Sequence, residues 1–405
     1  MTQQPAAKDM QSLFAAGFSG GDFLNAEKVE DVIGLCLSGG GYRAMIYHVG
    51  SLARLNELGF LPRVKEIASV SGGSITAGML ARAWPELDFD NHGIALNFDD
   101  RVASPLIRFS AIGVDVRAIL SGILPGRTAA DSVAAAYDRY LFSGATLQDI
   151  PDHPRFTFMA TNLQTGSGWR FAKSYAADYR VGRIDHPRLS LARVVAASSA
   201  FPPFLSPVRL KFDRDAVRPM QGADLHRPPF TEEAVLTDGG VYDNLGLERV
   251  WKRCRTILVS NAGCNTPEIG SPTGRWTGQI FRTLNLVQQQ VENSRKRILF
   301  GMNNLGQRKV AFWSIDTPIA AYSVADALPM TANSAAQAAN LRTRLNPFTP
   351  AEIELLLQAG YAGADASLRA QGLAVNSPAA DFEKLPFPRS RWTRSDTEGL
   401  IVRQI

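Results

Sequence analysis

The chain has 405 residues, 45% of them apolar and 20% charged, with a formal net charge of +5. That length is ample for a buried core, and the balance is that of a globular protein rather than a disordered or fibrous one. The mild basic excess admits an anionic partner such as a membrane surface, while the lack of a binding motif or dense basic arm argues against nucleic acid.

Residues 1–30 read as a polar lead-in. Met1 to Gly20 lacks the basic start and apolar core of a signal peptide. No run of roughly 18 apolar residues follows, so any contact with lipid is expected from the surface. Val32–Leu37 reads as a buried strand. Met45–Leu58 has helical apolar spacing and ends at Gly59, a good terminator. Val64–Val70 reads as a second strand and Gly72–Trp84 as a second helix, stopped by Pro85. This repeated strand–turn–helix order predicts an α/β fold with a parallel sheet covered by helices.

Residues 95–150 read as helical and mixed. Their apolar stretches, Leu106–Ile112 and Ile119–Leu124, lie near Arg101, Arg108, Arg117 and Arg127. They either touch a membrane transiently or pack on the core. Phe156–Thr161 and Ser167–Lys173 read as paired strands about Thr165-Gly166, and Leu189–Ala200 as a helix closed by Phe201-Pro202-Pro203. Val235–Thr237 leads into a turn at Asp238, and Thr256–Ser260 is a further core strand. Trp276–Phe300 reads as a long amphipathic helix. Its stripe of Trp276, Ile280, Leu284, Val287 and Val291 is expected against the sheet, with Arg282, Arg295 and Lys296 outward. Val310–Ile315 is a strand, and Ala335–Leu345, Pro350–Ala359 and Ala364–Ala370 are helices, the last two parted by Gly360 and Gly363. Residues 376–405 form a mildly basic, proline-bearing tail. Cys36, Cys254 and Cys264 contain no C-x-x-C pair, so neither a disulfide framework nor a zinc site is expected, and a reducing cytoplasm fits. Cys36 reads as a buried small residue.

Three glycine-rich turns carry the chemistry. In Ser38-Gly39-Gly40-Gly41-Tyr42-Arg43, the glycines can turn backbone N–H groups to one point, and the following helix adds its positive end. The loop suits a phosphate, an oxyanion or simply close packing. It also satisfies G-x-G-x-x-A, but the second strand ends at Ser69-Val70-Ser71 without the acid a dinucleotide site needs. Ser69-Val70-Ser71-Gly72-Gly73 matches a nucleophile elbow except that Ser69 replaces the first glycine. Asp238-Gly239-Gly240 supplies a carboxylate on a turn. A serine, an anion-binding loop and a carboxylate are the minimum parts for acyl transfer from an ester. His48, His92, His153, His186 and His226 all precede Asp238, so the order Ser, acid, His is impossible with Asp238 as the acid. Either the triad is arranged otherwise or Asp238 is itself the base. A silent acyl-binding module and a nucleotide-binding protein are the alternative readings.

These motifs, with Ala196-Ala197-Ser198-Ser199-Ala200-Phe201-Pro202-Pro203, resemble those of the patatin-like phospholipases. The loop wording is also similar to that of the cytosolic phospholipase A enzymes. The resemblance spans roughly residues 30–265. It implies a three-layer α/β/α fold with a central, mostly parallel sheet, formed by a catalytic domain over 31–375. It also implies a lipid or acyl-ester substrate, no metal or cofactor, and a Ser-Asp dyad of Ser71 as nucleophile and Asp238 as base. Gly39, Gly40 and Gly41 would form the oxyanion hole. Arg43 either holds a lipid phosphate or lies on the helix surface. Asp243, beside Asn244 in the third turn, has no assigned role.

Overall fold

The computed structural model describes residues 29–114, 128–213, 215–263, 266–374, 379–382 and 385. Strand β1 (Glu30–Leu37) runs into helix α1 (Gly41–Glu57), and β2 (Val64–Val70) into α2 (Gly72–Ala83). Short helices α3 (Ser104–Ser110) and α4 (Ala129–Tyr137) precede β3 (Arg155–Asn162), β4 (Gly168–Phe171), β5 (Tyr175–Asp178) and β6 (Gly182–Asp185). Next come α5 (Leu191–Ser198), β7 (Val208–Lys211), β8 (Glu233–Asp238), α6 (Gly240–Asp243), α7 (Leu247–Trp251) and β9 (Cys254–Asn261). The chain closes with α8 (Trp276–Asn304), β10 (Lys309–Ser314), α9 (Ala332–Asn340) and α10 (Pro350–Ala370).

One ten-stranded sheet forms the middle layer, in the order β10-β9-β1-β2-β3-β4-β5-β6, with β8 pairing both β3 and β7. Strands β10, β9, β1, β2 and β3 are mutually parallel, and all pairings from β3 onward are antiparallel. The sheet is therefore mixed: tight turns join β3, β4, β5 and β6 as antiparallel neighbours, where a parallel pair would need a crossover, and β7 and β8 reach their antiparallel places through longer connections.

The central strands are apolar on both faces, as a sheet covered on both sides demands. Leu35, Leu37, Ile67 and Leu258 point into the larger core with α1, α2, α5 and α10. Cys36, Ala68, Ile257 and Val259 point into a smaller core with Leu247, Val250 and Trp251 of α7 and Leu299 of α8. Cys36 and Cys254 are buried free thiols, and Cys264 lies outside the described residues.

Two expectations change, and one open alternative is decided. Pro350–Ala370 is one helix rather than two, because Gly360 lies against the backbone of α1 and a Cβ there would meet the Tyr47 carbonyl at 1.9 Å. Leu106, Ile107 and Phe109 are buried in the larger core, so that stretch packs and is no membrane contact; Ile119–Leu124 lies outside the described residues. Most of the α8 stripe is turned outward: Trp276 is 73% exposed and Ile280 and Val287 are each 56% exposed, while Leu284 and Val291 are half-buried and Arg295 and Lys296 are partly covered. Polar groups at the top of the sheet claim the other face of this helix, as the site geometry explains.

Candidate active site

The first loop leaves β1 and turns sharply into α1. Gly40 and Gly41 have φ of 139° and 57°, a region that side chains rarely adopt. A Cβ on Gly41 would lie 1.4 Å from the Thr343 carbonyl oxygen, so glycine is required by space as well. The Gly39 N–H donates to the Asn244 carbonyl oxygen at 3.0 Å. It is thereby withdrawn from the trio of expected oxyanion donors. The N–H groups of Gly40 and Gly41 have no protein acceptor among the described residues.

β2 ends in the elbow. Ser71 sits at φ 52°, ψ −121°, a strained conformation that lifts its side chain between strand and helix. The turn packs tightly on the first loop: a Cβ on Gly72 would meet the Gly41 carbonyl at 2.0 Å, and one on Gly39 would lie 3.2 Å from Ser71 Cβ. Ser69, in place of the elbow glycine, starts a buried hydroxyl chain. Ser69 Oγ and Ser74 Oγ are 3.0 Å apart, Ser74 Oγ and Ser198 Oγ 2.8 Å, and Ser198 donates to the Met159 carbonyl at 2.6 Å. Because Ser198 gives its proton to a carbonyl, Ser74 donates to Ser198 and Ser69 to Ser74. Ser198 also accepts the Ser71 N–H at 3.1 Å, which anchors the strained residue.

Strand register brings the carboxylate to the serine. β2 pairs with β3 up to Val70 opposite Met159, so Ser71 leaves the strand where Ala160 follows. β8 takes over the same edge of β3 at that point, with Asp238 opposite Ala160. The strand that guides the nucleophile therefore also guides the acid. Asp238 is fixed further by its N–H to the Ala200 carbonyl (3.0 Å), by Thr161 Oγ1 donating to its carbonyl (2.8 Å), and by the Gly240 N–H on Oδ1 (2.7 Å). Burial pushes the Asp238 carboxyl up to about 6, against smaller opposing effects of the Ser71 hydroxyl and the Gly240 N–H. The Ser71 hydroxyl thus lies close enough to lower the pKa, yet Oδ2 accepts no hydrogen bond of full geometry. Catalytic contacts are commonly loose before substrate binds.

The other polar residues nearby are structural. His48 is fully buried behind the loop; its Nε2–H donates to the Ser38 carbonyl at 2.9 Å, so Nδ1 accepts from Ser260 Oγ at 2.8 Å. Burial lowers its pKa to about 4 and keeps it neutral. Arg43 is 4% exposed and donates to the carbonyls of Ala339, Leu341 (3.0 Å) and Ala262 (2.8 Å). It clamps the 339–341 segment beside the glycine loop, a use that differs from both alternatives, a phosphate contact and a place on the helix surface. Asp243 accepts the N–H groups of Leu245 and Glu248 and faces Arg295. Sequence reasoning left Ser198 and Asn244 without roles. For Ser198 the signal was its place in the Ala196–Pro203 motif.

Helix α8 crosses above this turn on its polar face. Gln288 donates to the Gly240 carbonyl at 3.1 Å, and Glu292 accepts from Asn244 (3.3 Å) and Asn261 (3.2 Å). This polar contact turns the apolar stripe away from the sheet.

Residues 35–251 match the model of the patatin-like phospholipases, which is more than half of the chain. The chain belongs to the patatin-like phospholipase family. Among solved structures it is similar to human GIVD cytosolic phospholipase A2, at 13% identity and a TM-score of 0.48 over 93% of this chain. The same human enzyme in complex with methyl gamma-linolenyl fluorophosphonate aligns at 14% identity and a TM-score of 0.45 over 91% of this chain. VipD from Legionella pneumophila aligns at 15% identity and a TM-score of 0.35, covering 84% of this chain and 66% of VipD. The chain spans 65% of the first human structure and 64% of the inhibitor complex. No curated protein matches the sequence. Among the described residues, no cluster could hold a metal ion and no helix is long and apolar enough to cross a membrane.

Proposed function

We propose that this patatin-like protein hydrolyses carboxylic esters of lipids through an acyl-Ser71 intermediate, with Asp238 as the base. The observation that supports this reading is the shared register, which brings Ser71 and the buried Asp238 carboxyl, raised to about 6 by burial, to one edge of β3. Ser71 Oγ attacks the acyl carbon while its proton passes to Asp238 Oδ2. The carbonyl oxygen becomes an oxyanion held by the N–H groups of Gly40 and Gly41 and by the positive end of α1. Collapse breaks the ester C–O bond, and Asp238 returns the proton to the leaving alkoxide. Water then attacks the acyl-serine, giving its proton to Asp238, and Ser71 regains a proton as the fatty acid leaves. Residues 31–375 act as the catalytic domain in this reading.

Ser71→Ala tests it. The variant should lose measurable ester hydrolysis and covalent labelling by a fluorophosphonate, with its melting temperature nearly unchanged. Turnover of a soluble ester within about tenfold of the parent protein, a far smaller loss than removal of a nucleophile gives, would overturn the assignment.

A further inference from the structure

Helix α8 carries four basic residues, Arg282, Arg295, Lys296 and Arg297, and one acid, Glu292. The acid faces inward, held by Asn244, Asn261 and Lys296. On the opposite side runs the apolar stripe of Trp276, Ile280, Val287, Ile298 and Leu305, spaced so that all lie within a narrow arc of the helix, with Leu305 just past its end. These five are 73%, 56%, 56%, 42% and 75% exposed. A stripe of this length extends about 44 Å at the rise of an α-helix. Polar Gln290 and Ser294 interrupt it between Val287 and Ile298, but exposed apolar side chains grouped on one face still mark an interaction site.

We infer that the outward face of α8 docks the protein on the surface of an anionic phospholipid bilayer. The charge pattern selects this occupant. No acid of α8 is on the outward side, and Arg275, at the start of the helix, and Arg297 are exposed cations beside the stripe. An apolar stripe bordered by cations and carrying a tryptophan is the combination that settles at a headgroup–acyl boundary. The choice of lipid also rests on the ester-hydrolase reading, since the same helix touches the site. Its inner side holds the Gly240 carbonyl through Gln288, and Phe281 stacks on Phe204, with centroids 6.4 Å apart, just past the segment that anchors Asp238. Docking through α8 would therefore bring the site beside the lipid surface.

Flotation with vesicles of phosphatidylcholine alone, and of equal parts phosphatidylcholine and phosphatidylglycerol, tests the inference in low and high salt. The protein should float with the anionic vesicles in low salt, with Trp276 contributing a blue shift in emission. The triple variant Trp276→Gln, Ile280→Gln, Val287→Gln should bind them about tenfold or more weakly. Its melting temperature and its hydrolysis of a short soluble ester should match the parent. Ser71→Ala should float as the parent does, which separates docking from catalysis. Flotation without ester hydrolysis would leave docking standing and defeat the hydrolase reading. Ester hydrolysis without flotation would defeat docking, as would equal flotation of the triple variant. A dimer in solution that the triple variant dissociates, with no vesicle binding, would reassign this face to self-association and overturn the inference.

Discussion

At the scale of single residues, two buried titrations oppose each other. Asp238 rises from 3.8 to about 6, so the folded state holds its proton more tightly and loses stability as pH rises from 3.8 to about 6. His48 falls from 6.5 to about 4, so the folded state loses stability as pH falls from 6.5 to about 4. Between about pH 4 and about pH 6 these two contributions oppose each other, while burial raises the Asp243 carboxyl as well. Asp238→Asn removes the first, and the variant should be on the order of 3 kcal/mol more stable than the parent above pH 7. That lead should vanish as pH falls through about 6 toward 3.8, as denaturant titrations at several pH values would show. The same variant should lose ester hydrolysis, because an amide takes no proton. In the parent, kcat/KM for a soluble ester should climb through about pH 6 as Asp238 ionises. Arg43 yields a second test. Arg43→Ala leaves the carbonyls of Ala339, Leu341 and Ala262 short of a donor, at about 1–3 kcal/mol of stability. Phospholipid and neutral-ester hydrolysis should fall in the same proportion, whereas a phosphate contact would make the phospholipid loss selectively larger.

At the scale of elements, α8 shows why periodicity predicts a stripe but not its direction. The spacing of Trp276, Ile280, Leu284, Val287 and Val291 defines one helix face in any environment. Whether that face turns inward depends on what the neighbouring surface offers. Here the neighbours are the Gly240 carbonyl, Asn244, Asn261 and the Asp243 carboxylate, and Gln288, Glu292 and Arg295 answer them. Leu299 alone among the helix's side chains is fully buried. Leu299→Ala should therefore cost about 2–5 kcal/mol, while Ile280→Ala should stay within about 0.5 kcal/mol of the parent. Urea unfolding of the two variants checks this, and the inward-stripe expectation requires the reverse order. In α10 the glycines that suggest a break instead permit contact. A Cβ on Gly50 would meet the Leu357 carbonyl at 2.0 Å, so α1 and α10 touch backbone to backbone.

At the scale of the whole molecule, the motif-bearing part does not stand alone. The family match ends at residue 251, yet the larger core includes Leu356, Leu357, Tyr361 and Leu368 of α10. Arg54 of α1 also forms a buried ion pair with Asp365 of α10 at 2.7 Å. A chain ending at residue 349 would expose the apolar side of α1 and remove the Asp365 partner of Arg54, leaving Glu57. It should lack the near-ultraviolet dichroism of the intact protein, aggregate readily and show no ester hydrolysis. A truncated chain that melts cooperatively would show instead that α10 is an accessory layer.

The sequence by itself determined the strand–turn–helix units, the glycine turns and their order, because these depend on local sterics and on periods of two and 3.6 residues. Val64–Val70 and the Ser71 elbow were legible for that reason, as was the absence of any histidine after Asp238. Tertiary structure decided how the parts meet. That Ser71 and Asp238 share the edge of β3 at Ala160 is a matter of register between strands that lie far apart in the chain. That Gly39 gives its N–H to Asn244, and Arg43 its guanidinium to backbone carbonyls, depends on segments brought in by the fold. The direction of the α8 stripe was settled in the same way. Local sequence sets what each element can bury or donate, and the fold sets which neighbour is there to receive it.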